Sequence, residues 1–222
     1  MSELDWFFRS PREAAPASPG ETVSCLYLLR RDIDTCFGFD PNTGARIDAI
    51  DQATGAPIDR EAIRPGTMAI LAGIDLLGQF LVGTDQTRGD GRFSKGRKRF
   101  KRFTKRYLGF SSLNAELLYQ LRNALLDGCG LHSERRDKNG CVTTYNFILA
   151  RGMETVIRQL KDTDHSYEVD ARQLRQLFEL AVLRYELDLR DTSHQHHEKL
   201  RPRFDAMFPK YARPMSSAGG AG

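Results

Sequence analysis

At 222 residues, with 40% hydrophobic and 28% charged residues, the chain is long enough to bury a substantial core and is unlike a disordered or fibrous protein. The net charge of +4 is modest, but ten Lys or Arg residues fall between Arg88 and Arg106, a local field that attracts phosphate backbones or acidic surfaces. Cys25, Cys36, Cys129 and Cys141 match no CxxC or zinc-finger spacing, and the acidic N-terminal residues lack the pattern of an export signal, so reduced thiols and a cytoplasmic location are expected.

Residues 1–19 read as a flexible lead-in, with prolines, alanines and serines crowding positions 9–20. From Glu21 to Phe37, Val23, Leu26, Tyr27, Ile33 and Phe37 recur at helical spacing. Residues 38–65 form a long Pro- and Gly-punctuated connection with no evident role, which either hides a short helix near Asp59 to Ile63 or serves function itself. Thr67 to Val82 is apolar nearly all round, interrupted by Asp75 and Gln79. That describes a buried central helix. It is shorter than the roughly 20 apolar residues of a membrane span and carries a carboxylate at its middle, so no membrane association is expected.

In the basic stretch, Phe100, Phe103 and Tyr107 are spaced by three and four residues. This predicts a helix that buries an aromatic stripe and holds Arg97, Lys98, Lys101, Arg102 and Lys105 outward. Those five residues are the candidate RNA-binding set, because cations neutralise phosphates and interleaved aromatics can stack on bases. A merely solvated helix face is the plain alternative.

A further helix follows, with Asn114 as its cap, an apolar face of Leu117, Leu118, Leu121, Ala124 and Leu125, and Gly128 as its stop. The polar turn Arg135 to Gly140, before the β-prone run Cys141 to Leu149, predicts a small β-hairpin. Met153 to Leu160 suggests a short helix. Asp170 opens a strong one through Leu174, Phe178, Ala181, Tyr185 and Leu189. The chain then divides into a core over 20–190, a helical extension over 191–212 and a disordered tail over 213–222. The fold class expected is mainly α, a bundle of about five helices with a hairpin insertion. His194, His196 and His197 form an HxHH cluster with no acidic or thiol partner at metal-site spacing, so no metal or cofactor is expected.

Arg122, Asn123 and Asp127 lie on the helix before Gly128. A separation of five residues places Arg122 and Asp127 about 140° apart on an α-helix. A carboxylate in the last turn opposes the macrodipole, so something must compensate Asp127. One reading has Arg122 cap a neighbouring helix or pair with Asp75, and Asp127 pair locally with an Arg or bond backbone amides.

The run Leu118-Tyr-Gln-Leu-Arg-Asn-Ala-Leu-Leu-Asp-Gly-Cys-Gly-Leu131 resembles the signature helix of the HEPN superfamily. The resemblance implies an α-helical bundle that dimerises and, in catalytic members, metal-independent RNase chemistry in toxin and antiviral systems. It implies that Arg122 orients the scissile phosphate, that Asn123 supports the site, and that a His performs general acid/base work. Asp127 stands where that His is expected, and an ionised carboxylate is a weaker base that repels phosphate. His132, ten residues after Arg122, is the candidate substitute. Two functions therefore compete: an RNA-associated, RNase-derived protein of a defence system, and a non-catalytic homodimeric or partner-binding module.

Overall fold

The computed structural model describes residues 2–12, 22–47, 49–50, 53–54, 57–59, 61–83, 92–137, 139–161, 163–193 and 196–211. The expected 213–222 tail lies outside them.

The chain begins with a helix where the sequence reading places a mobile lead-in. In α1 (Glu3–Phe8), Ser2 caps the first turn and the Asp5 carboxylate accepts from the Ser2 amide, a reciprocal capping box. Leu4, Phe7 and Phe8 are buried. Six residues are too few to show a helical period, which is why the element escapes detection from sequence. The next helix, α2 (Cys25–Cys36), starts later than expected because the buried Ser24 hydroxyl caps it. That hydroxyl also donates to the Phe7 carbonyl at 2.8 Å, joining α1 to α2.

The 38–65 connection holds a two-stranded antiparallel ladder, β1 (Ala49–Ile50) with β2 (Pro57–Ile58), and among its described residues no short helix of its own. Its evident role is structural. The Glu61 side chain, 3% exposed, draws in Arg172, Arg151 and Arg46. A loop carboxylate thus ties the connection to segments more than 80 residues away.

The central helix, α3 (Ile63–Val82), carries Pro65 in its first turn, where proline is tolerated. By length and composition it would suit a membrane, but 67% of it is buried inside the fold, packed by α2 and, farther along the chain, α4 (Arg92–Tyr107), α6 (Ala171–Arg190) and α7 (His197–Met207). Two of its glycines allow these approaches: a Cβ on Gly73 would lie 2.5 Å from Phe178, and one on Gly78 would lie 3.1 Å from the Arg99 carbonyl oxygen.

After α4 come α5 (Ser112–Arg122), capped by Ser111 rather than Asn114, and a π-helical turn, Asn123–Asp127, ending at Gly128. Asp170 caps α6 as its sequence position predicts, accepting from the Gln173 amide at 2.8 Å. In the segment expected as a helical extension, α7 buries Leu200 and Phe204 and sets Phe204 against Phe7, Phe8 and Phe80.

The fold class differs from expectation. Among the described residues there are seven α-helices rather than about five, and the hairpin is half of a four-stranded mixed sheet. The hairpin strands, β3 (His132–Arg136) and β4 (Val142–Ala150), pair antiparallel. The stretch expected as a short helix contains β5 (Ile157–Gln159), which pairs antiparallel with β6 (Ser166–Asp170). In turn β6 runs parallel to β4, setting Phe147 opposite Tyr167 and giving the order β3-β4-β6-β5. Tyr145, Phe147, Tyr167 and Val169 are buried against the helices, whereas Asn146 and Ile148 stay exposed. The protein therefore combines helices with a mixed sheet and is not a helical bundle. Strands this short carry little period of their own, and their pairing is set by packing.

Candidate nucleic-acid interface

Helix α4 is sorted into faces by its sequence. At about 100° per residue, Phe100, Phe103 and Tyr107 share an arc of about 60°, and all three are buried, at 0%, 0% and 3% exposure. On the opposite side, Lys98, Arg102 and Lys105 occupy a similar arc of about 60° and are exposed. None of these three forms an ion pair with a described residue.

Between those arcs Arg97, Lys101 and Arg106 are held by acids from neighbouring helices. Towards α5, Glu116 accepts from Arg97 at 2.6 and 3.0 Å and from Lys101 at 2.7 Å. Its other oxygen accepts from Gln120 at 2.8 Å and lies 3.6 Å from Arg135. Burial alone would raise the Glu116 carboxyl, but the donors from Lys101, Arg97 and Gln120 outweigh it and bring the pKa down to about 2. Towards α6, Asp188 lies 2.9 Å from Arg106 and accepts from the Tyr107 hydroxyl at 3.0 Å. Burial pushes the Tyr107 phenol up, so it remains a donor.

The result is a surface groove of about 720 Å³ over α4, lined by Arg97, Lys98, Lys101, Arg102, Lys105, Arg106 and Ser112. It contains all five residues singled out for RNA contact. Glu116 and Asp188, which decide which of those cations stay free, were not singled out. Asp188 gave a signal, a carboxylate beside the apolar stripe of its helix, whereas Glu116 falls outside the apolar face read from the sequence and gave none.

The Arg122 cluster is built differently. A π turn closes i to i+5, as in the bond from the Gly128 amide to the Asn123 carbonyl at 3.2 Å. That winding abolishes the 140° separation expected of an α-helix. The Arg122 Nη1 donates to both Asp127 oxygens at 2.8 and 2.7 Å, and its Nε donates to Asp75 on α3 at 2.8 Å. Asn123 lies 3.4 Å from the same Nη1. Burial acts to lower the Arg122 pKa, but Asp75 and Asp127 outweigh it and raise it. Arg122 is the compensation that Asp127 requires.

His132 does not join the cluster. As the first residue of β3 it is exposed, with Nδ1 3.3 Å from Asn146 and Nε2 3.8 Å from Glu134. Of the HxHH cluster, His194 lies outside the described residues, and His196 and His197 sit at the start of α7. Among the described residues no three His, Cys, Asp or Glu side chains are grouped to hold a metal ion. All four cysteines are free, Cys129 and Cys141 being exposed.

No family model, curated protein or solved structure matches the chain. The HEPN resemblance rests on residues 118–131 alone.

Proposed function

We propose that the protein binds RNA through the phosphate backbone, using the basic face of α4. The observation that carries this reading is the groove of about 720 Å³ in which Lys98, Arg102 and Lys105 stand without an acidic partner among the described residues. A solvated helix face needs no such arrangement. Here two acids fix the flanking cations and leave a central file free.

Cleavage at Arg122 is not part of the reading. Its guanidinium already serves two carboxylates, so a phosphate approaching it would lie beside both negative charges. His132 is engaged with Asn146 and Glu134. Those constraints favour a non-catalytic RNA-associated protein.

The test is fluorescence anisotropy with a labelled 12-nucleotide RNA at low salt. Wild-type protein binds, and the Lys98→Ala/Arg102→Ala/Lys105→Ala variant, with unchanged circular dichroism, binds about 100-fold more weakly at 0.1 M salt if three phosphate contacts are lost. Equal affinity in the two proteins rules the α4 site out.

Self-association is a second reading, favoured by Leu180, Leu183 and Leu187 on α6, which are 45%, 46% and 63% exposed at a spacing suited to a helix seam. Light scattering that finds only monomer at high protein concentration removes it.

A further inference from the structure

Resting on the RNA-binding reading and narrowing it, we infer that the α4 groove takes one single strand laid along the helix and grips its phosphates without reading its bases.

Of the cations that line the groove, those with no acidic partner among the described residues form a single file. Lys98, Arg102 and Lys105 are separated by about 6 and 4.5 Å along the axis, so the file is about 10 Å long. On one side of it Arg97 and Lys101 are drawn to Glu116, and on the other Arg106 is drawn to Asp188. One file of three cations matches three successive charges of one strand. An RNA duplex presents two strands in a rigid A-form helix whose major groove is too narrow for side chains to enter. A groove of about 720 Å³ has the scale of a small-molecule cleft, roughly 300–1,000 Å³, which suits a single backbone.

The groove lacks the means of base recognition. Sequence-tolerant single-strand proteins stack bases on exposed aromatic rings, but Phe100, Phe103 and Tyr107 are buried on the opposite side of α4. The aromatics interleaved with the basic residues serve the core and not the ligand. The planar amides that read a base edge bidentately are Asn and Gln. Among the described residues no Asn or Gln lines the groove, and Arg102 is the one lining arginine without an acidic partner. Ser112, the first residue of α5, brings that helix's positive end to the groove, which favours phosphate again.

The test compares rU12, rA12, an abasic ribose-phosphate 12-mer and the rU12·rA12 duplex by anisotropy from 20 to 200 mM salt, with inorganic polyphosphate as competitor. The three single strands should bind within about threefold of one another, with a slope of log K against log salt near −2, about −0.7 for each of three phosphates. Each of Lys98→Ala, Arg102→Ala and Lys105→Ala should reduce that slope by about 0.7. The duplex should bind at least tenfold more weakly. Absence of binding by every oligonucleotide removes the RNA reading itself. A tenfold preference between rU12 and rA12, loss of binding on removing the bases, or duplex affinity equal to that of the single strand overturns this inference and leaves RNA binding intact. Polyphosphate that displaces rU12 at a lower phosphate concentration than unlabelled rU12 does reassigns the groove to a non-nucleic polyanion and overturns it also.

Discussion

Replacing Glu116 by Gln removes one charge from a carboxylate that is 9% exposed and engages Arg97, Lys101 and Gln120. Its folded pKa of about 2 lies below the ordinary 4.5. A depressed carboxyl pKa stabilises the fold fully above the unfolded value, and this contribution is lost as pH falls from about 4.5 towards 2. Taken at face value the shift corresponds to about 3 kcal/mol at neutral pH. Arg97 and Lys101 are 34% and 27% exposed, and solvent screening brings the figure to about 2. Urea unfolding followed by circular dichroism should therefore show Glu116→Gln less stable than wild type by about 2 kcal/mol at pH 7 and by only about 1 kcal/mol at pH 3.5. A gap of the same size at both pH values would refute the ion-pair argument and leave only a packing role for Glu116.

Gly73→Ala sets a Cβ 2.5 Å from the fully buried Phe178 ring and should cost about 1–3 kcal/mol. Gly96→Ala, on α4 with nothing within 4 Å of the new methyl, should instead stabilise by about 0.5–1 kcal/mol, and thermal melting of the pair separates steric contact from helix propensity. The Arg122 cluster has an exposed and a half-buried partner, with Asp127 at 62% and Asp75 at 22% exposure. Asp127→Ala should cost under about 1 kcal/mol and Asp75→Ala about 1–3 kcal/mol, and melting temperatures in the reverse order would contradict the assignment of Asp75 as the main anchor.

Much of α4 could be read from the chain. Phe100, Phe103 and Tyr107 needed only their spacing to declare a buried stripe, and the basic residues between them had nowhere to go but outward. Asp170 before an amphipathic run marked the start of α6, and the polar turn of 135–140 marked a hairpin. These features depend on neighbours a few residues away, which is the range over which period and capping act.

Tertiary structure decided the rest. The parallel pairing of β4 with β6 needs residues brought together across an intervening strand, and it turned an inserted hairpin into a mixed sheet. The docking of α1 depends on Phe80 and Phe204, far along the chain. The π turn brought Arg122 and Asp127 together where α-helical geometry would part them. For the candidate site, sequence alone determined that a basic face exists. Which of its cations are free was settled by Glu116 and Asp188, reaching Arg97 and Arg106 from 19 and 82 residues away. A charge is positioned by its own helix, but it is neutralised by whatever the fold packs beside it.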